Sequence, residues 1–462
     1  MSGLRHKSLA ACIAAALIVC SAAAADPPDR VGRLNLVEGD VWFKPGGADE
    51  WTAAALNYPL TAGDSLWTDA PSRAEVHVGS TAIRLAGGTE LGFPELDDRM
   101  VRSDLPQGLL NVRLRELEPG ETFEILTPAL SLSLAAAGSY RIEVGYGGNT
   151  RATVNEGRIE AVVAGLACSV RANQSVFVAR SNSQSIEIGM APAADEWDAW
   201  CAARDRREDH LASARYVPRT MIGCEDLDWY GSWSVSLEYG PVWTPSSLPA
   251  GWAPYRHGHW AWVQPWGWTW IDYAPWGFAP FHYGRWTMLR GAWVWVPGVI
   301  PHRPVFAPAL VAFNEAGVGR AVLNGKIGWF PLGPGEAYVP PYAVSQAYIK
   351  KVNVGHTRIT DLQIRQSSVD VRQVGELLGS VLGLVFSQAR NAGTSPRVEP
   401  RREEHLVRQP PVRQRQEDQA PQLKNVARDP VPQTPHKRYK VRKKQQLPNG
   451  QWVWIEEWVA QD

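Results

Sequence analysis

Residues 258–270 read GHWAWVQPWGWTW. Trp260 and Trp262 are two apart, as are Trp266, Trp268 and Trp270, a spacing that puts each set on one face of an extended strand. Gln264-Pro265-Trp266-Gly267 lies between them, with proline where a type I or II turn wants its φ fixed and glycine just after the corner. The stretch predicts a β-hairpin with indoles along one side.

The pattern recurs. Gly231-Ser232-Trp233, Gly258-His259-Trp260 and Gly284-Arg285-Trp286 are spaced by 27 and 26 residues, each is followed by another Trp about ten residues later, and Pro275-Trp276-Gly277 repeats the turn. Thirteen of the 22 tryptophans fall within 228–298. An aromatic hairpin cannot bury its own face, so the copies are expected to stack side by side. Their rings form either the core of a small β unit or a row of open faces for sugars, aromatic groups or a proline-rich partner. For the second case the candidate ligand-binding residues are Trp260, Trp262, Trp266, Trp268, Trp270, Trp276 and Trp286. Arg256, His259 and Arg285 stand beside them to hydrogen-bond hydroxyls or anionic groups.

The chain has 462 residues, enough for two or three domains, and a formal charge of zero. Residues 397–444 hold fourteen Lys/Arg against six Asp/Glu, so the positive charge is concentrated in a tail. Arg5 and Lys7, the apolar run Leu9–Val19 and Ala22–Ala25 have the order of a secretory signal peptide over residues 1–25, which predicts a periplasmic or secreted protein. Export would leave Cys168, Cys201 and Cys224 in an oxidising compartment, and Cys201 with Cys224, flanking one short helical segment, is the expected disulfide. No transmembrane span is expected after signal removal, because Leu377–Ala389 is too short for a bilayer.

From residue 30 to 190 short strands alternate with glycine turns, among them Val31–Val37, Ala74–Val78, Ala82–Leu85, Ser139–Val144 and Arg158–Val163. Asp195 can cap a helix through Trp197, Cys201 and Arg204, with Arg204–Asp209 on its wet side, in a connector over 195–225. The hairpin repeats occupy 226–345 and a mixed segment with a short apolar helix 346–392. Residues 393–438, rich in Pro, Gln and Arg, are expected to be disordered. Residues 439–462 carry a last hairpin signal around Asn449-Gly450. The fold class expected is mainly β: a β domain, a helical connector, an aromatic hairpin-repeat domain and a basic C-terminal region ending in a hairpin.

Several short motifs keep the order of a known family. Gly39-Asp40-Val41, Leu60–Asp64 with Leu66-Trp67-Thr68, Ser72-Arg73-Ala74, Thr127-Pro128, Ala137–Ile142 and Val154–Gly157 resemble a FecR-type domain, the periplasmic portion of ferric-citrate-type regulators and a module of other exported proteins. The resemblance covers about a third of the chain. It implies a periplasmic β domain of the protein-interaction kind, with no catalytic residues to carry over. No cytoplasmic anti-sigma segment precedes it in this sequence, which argues against direct control of a sigma factor. A second resemblance, carried by Tyr255-x-x-Gly258-x-Trp260 and above all by Gly328–Glu336 (GWFPLGPGE), covers about 196–350 and is similar to an uncharacterised Trp-rich family of exported bacterial proteins.

The sequence holds no phosphate-binding glycine loop, no Gly-x-Ser-x-Gly elbow, no His-Glu-x-x-His and no Cys-x-x-Cys. His257 and His259 are spaced as ligands on one strand face, but the next copy has Tyr283 and Arg285 there, so no metal and no cofactor is expected. Asp272, Glu315 and Glu336 are the carboxylates to consider for sugar hydrolysis. Lys437–Lys444 (KRYKVRKK) suits an anionic envelope polymer or a solubilising role better than nucleic acid in an exported chain. The expectation is a non-enzymatic binding or scaffold protein. Its partners are envelope polysaccharide or peptidoglycan, or another envelope protein, with no nucleic acid.

Overall fold

The computed structural model describes residues 25–182, 185–313, 329–356, 438–446 and 452–460. The signal segment, the apolar run 377–389, the linker 393–437, Glu315 and the Asn449-Gly450 turn lie outside them. The chain is mainly β, as expected.

Seventeen strands between Gly32 and Met190 form one continuous sheet that folds over on itself. The shared element is Met100–Leu114, fifteen residues long. Its first half pairs with Thr122–Leu126 and its second with Thr81–Leu85 and Gly138–Val144, so one strand serves two layers. Between the layers Leu34, Phe93, Leu110, Tyr140, Ile142 and Val176 have no exposed surface. Strands read from alternation are present, for example Gly32–Glu38 and Gly138–Val144. Met100–Leu114 is not legible in that way, because Pro106 and Gly108 at its centre are the residues that punctuate turns. Here they mark the change of layer: Gly108 sits at φ 106°, and a Cβ on it would come within 2.7 Å of Thr89 Cβ.

Asp195 caps the helix Glu196–Asp209 (α1) in a capping box with Asp198. Trp197 and Cys201 on α1 are buried, and Arg73 from the sandwich lies 5.0 Å over the Trp200 ring. The side expected to be wet is so only at Arg206 and Arg207: Arg204 grips Glu75 with two bonds of 2.6 Å, and Glu208 is buried. The expected Cys201–Cys224 disulfide is not formed. Both thiols are free and buried, Cys201 on α1 and Cys224 inside the aromatic core, its Sγ 3.7 Å from the Arg219 carbonyl. Burial pushes Cys201 up to about 12, so both are protonated, unreactive thiols.

Three aromatic hairpins follow: Gly231–Ser236 with Gly240–Pro245, Gly258–Val263 with Gly267–Asp272, and Arg285–Leu289 with Ala292–Val296. Their repeat has a physical cause. In each, the first Trp faces a Trp across the strands, as Trp233 faces Trp243, Trp260 faces Trp270 and Trp286 faces Trp295. The glycine that opens each copy lies against the second Trp, so that a Cβ on Gly258 would come within 2.6 Å of the Trp270 ring, and Gly231 and Gly284 are crowded in the same way by Trp243 and Trp295. Glycine is thus required for close approach.

The copies do not all stack side by side. The first and third join into a four-stranded sheet through Trp243 opposite Trp295, while the middle hairpin is a separate pair linked to the third through the rings of Tyr255 and Phe281. Its turn also differs from the expected one: the Gln264–Pro265 bond is cis, Trp266 precedes the strand, and its ring packs 5.1 Å from Phe306. Arg438–Gln446 pairs with Trp452–Ala460, the expected C-terminal hairpin.

Candidate binding surface and charged seam

Strand alternation explains where the candidate rings go. Trp260, Trp262, Trp268 and Trp270 share one face of the middle hairpin, Trp260 and Trp270 at its base and Trp262 and Trp268 toward its tip. The base pair is edge-to-face at 5.4 Å, and Trp270 is 2 % exposed. The tip pair is edge-to-face at 5.5 Å, but Trp262 is 54 % exposed. Trp266, Trp276, Trp286 and Arg285 are buried with Trp270. Half of the ten candidates are therefore core, and the single row of open faces is replaced by one open indole, Trp262, leaning on half-buried Trp268.

The polar candidates do not converge on that face. His259 lies on the opposite side of its strand and stacks on exposed Tyr273 at 5.5 Å. Burial lowers His259 below the usual imidazole range. Arg256 is exposed on the preceding loop, and Arg285 is inside, bonded to the Glu336 and Gly284 carbonyls and to Asn353 Oδ1. Of the carboxylates considered for hydrolysis, Glu336 accepts from Gly333 N across a turn. Asp272 is buried, accepting from Ala274 N at 3.0 Å and Trp270 Nε1 at 3.1 Å, and burial raises it to about 7. Both act as turn and ring anchors.

The largest buried polar assembly was not legible in the sequence. Arg33, Glu75, His77 and Arg84 occupy outward positions of the strands Gly32–Glu38, Arg73–Val78 and Thr81–Leu85, where alternation predicts solvent. Instead α1 and the aromatic unit cover them. Glu75 accepts from Arg84 at 2.5 Å and from Arg204, and Arg84 continues to Asp205 at 2.7 Å and Glu208 at 3.3 Å. Arg33 reaches Glu225 at 3.0 Å, Asp226 at 2.6 Å and the Pro275 carbonyl at 2.9 Å. Asn57 donates to the carbonyls of Asp272 and Ala274. His77 sits between Glu75 and Glu225. Burial alone would lower it, but Glu225 and Glu208 outweigh that and hold it protonated to about 10, while Glu225 is depressed to about 2. Buried charges are tolerated only when paired, and this seam pairs the sandwich, α1 and the hairpin repeats into one body.

Among the described residues, two groups bring three donor atoms within 4.8 Å: Glu75, His77 and Glu208, and Glu116, Glu118 and His302. In the first, Arg84 and Arg204 already occupy Glu75. The second lies beside a cavity of about 90 Å³ between the sandwich and the 302–304 loop, where His302 Nε2 stands 3.1 Å from Glu116 and 3.4 Å from Glu118. Both read as polar contacts that tie segments together.

Residues 224–336 match the model of a family of unknown function, DUF6600. No curated protein matches the chain. Two crystal structures of a candidate anti-sigma factor from Parabacteroides distasonis resemble 30 % of it, at 14 % and 15 % identity and a TM-score of 0.27. The similarity spans 64 % and 63 % of those chains.

Proposed function

We propose that this protein is a non-enzymatic binding scaffold of the bacterial envelope, a FecR-like sandwich carrying a rigid aromatic unit that presents Trp262 to glycan. The observation that carries the reading is the contrast within one hairpin. Trp270 at its base is locked in a core, while the Trp262 face stands in solvent over Gly267, a Cβ on which would lie 3.3 Å from the indole. An indole face stacks on the apolar face of a pyranose, and one ring supplies modest affinity that a repeating polymer multiplies through avidity. The signal-peptide pattern and the FecR resemblance support the compartment, and the structural duties of Asp272 and Glu336 support a role without turnover.

The test is retention on peptidoglycan sacculi and on exopolysaccharide-coupled resin. The reading requires retention that is lost in Trp262→Ala/Trp268→Ala while circular dichroism shows the fold kept. Equal retention of that variant would end it.

A second reading, strand addition by another envelope protein, is favoured by Ile186–Met190. This strand pairs with Gln174–Val178 on one side only among the described residues, and its Ile188 and Met190 are 48 % and 80 % exposed. Cross-linking at Met190 to a protein rather than to glycan would support it.

A further inference from the structure

The C-terminal hairpin sorts its residues by register. Arg438–Gln446 runs antiparallel to Trp452–Ala460, with Lys440 opposite Trp458, Arg442 opposite Glu456, Lys444 opposite Trp454 and Gln446 opposite Trp452. Directly opposed residues share a face of a two-stranded sheet, and successive residues alternate between faces. One face therefore holds Arg438, Lys440, Arg442 and Lys444 together with all three tryptophans of the hairpin. The other holds Val441, Val453, Ile455 and Val459, with Lys443 and Glu457 as its charges.

Charge follows the tryptophans. Four cations against the single acid Glu456 leave their face a surplus of three positive charges, whereas Lys443 and Glu457 make the aliphatic face neutral. The linear order of residues does not impose this. A slip of one residue in the pairing would set the tryptophans among Tyr439, Val441 and Lys443 instead. Same-face positions of one strand lie about 6.8 Å apart, so the cations form a row about 20 Å long beside the indoles. Stabilising the hairpin itself would be served by an acid opposite each cation, and Arg442 alone has one.

A row of cations flanked by indoles matches a polymer that carries carboxylates on sugar rings: the cations pair with carboxylates, and indole faces stack on pyranose faces. A membrane surface is the poorer match. Tryptophan and aliphatic residues enter the same lipid interface, and here they stand on opposite faces. We infer that this face of the C-terminal hairpin binds an acidic polysaccharide of the polyuronate class, through the juxtaposition of Lys440 and Lys444 with Trp458 and Trp454. The site is distinct from Trp262 and does not rest on it.

The probe is polygalacturonate, titrated into the purified protein alongside its methyl ester, which keeps the rings and lacks the charge. The acid form should bind, more weakly as salt rises, and the ester should not. Lys443 and Lys444 are adjacent and chemically identical but belong to opposite faces. Lys444→Gln should therefore weaken binding about three- to five-fold, and Lys443→Gln less than about two-fold. In protein of unaltered sequence labelled with 5-fluorotryptophan, the Trp454 and Trp458 resonances should move with the same midpoint concentration, so the answer does not hang on the variants. Trp262→Ala/Trp268→Ala should bind polygalacturonate unchanged, which separates this site from the middle hairpin. No binding of polygalacturonate, equal binding of the ester, or equal losses in the two lysine variants would overturn the inference. So would stationary Trp454 and Trp458 signals, loss of binding in Trp262→Ala/Trp268→Ala, or tighter binding to phosphatidylglycerol vesicles or single-stranded DNA.

Discussion

The base and the tip of the middle hairpin carry the same cross-strand pair, Trp opposite Trp, in nearly the same edge-to-face geometry, but the base pairs buried Trp270 with half-buried Trp260 and the tip pairs half-buried Trp268 with exposed Trp262. The difference lies in what surrounds them. Trp270 meets Tyr255 at 5.8 Å, Trp329 at 6.2 Å and Gly258 beneath it, whereas Trp262 has the turn glycine on one side and solvent on the other. Residue type and spacing do not separate a core indole from a binding indole. The neighbours supplied by distant chain do.

The sharpest way to break this comparison is to truncate both rings. Trp270→Ala removes a buried ring and should cost about 3–5 kcal/mol in denaturant unfolding, while Trp262→Ala should cost less than about 1 kcal/mol. Similar losses at both positions would erase the distinction. Next in size is the glycine under the ring. Gly258→Ala forces a Cβ into the Trp270 indole and should cost about 1–3 kcal/mol, against a near-neutral Gly189→Ala, where a Cβ meets nothing within 4 Å.

The seam makes a smaller, pH-dependent prediction. His77 is raised in the fold to about 10 from an ordinary value near 6.5, so its contribution is fully present below about pH 6.5 and is lost as pH rises through about 10. The melting temperature should fall between pH 7 and 10, and His77→Gln should flatten that fall while lowering stability at pH 7. Glu225, depressed to about 2, has the opposite sign: its contribution is present above the ordinary glutamate range and is lost as pH drops through about 2. Trp268→Ala, half-buried at the tip, should cost stability between Trp270→Ala and Trp262→Ala and should still weaken glycan retention.

Much of the architecture was legible. Period-two alternation located most sandwich strands, the Gly-x-Trp spacing located all three hairpins, and Asp195 located the start of α1. What escaped did so for local reasons. Met100–Leu114 hides behind Pro106 and Gly108, and Trp266 sits at strand spacing while belonging to a turn. Arg33, Glu75, His77 and Arg84 look solvent-facing because alternation reports the side of a strand, not whether another element covers it. The one available clue was that opposite charges stand at outward positions of neighbouring strands, as in Glu75 opposite Arg84. Arg285 was legible as a candidate for anionic groups but not as buried, since in its own hairpin it is merely the residue before a Trp.

The most direct test of the central claim, that the Trp262 face is open while Trp270 at the base of the same hairpin is closed, is fluorine NMR of protein labelled with 5-fluorotryptophan. Resonances would be assigned by single Trp→Phe substitutions, and a soluble paramagnetic probe added with and without peptidoglycan fragments. The account predicts strong broadening of Trp262 that the fragments relieve, with Trp243, Trp270 and Trp295 untouched in both conditions. Broadening of those three rings to the same degree as Trp262, or a Trp262 signal indifferent to every glycan tested, would contradict it.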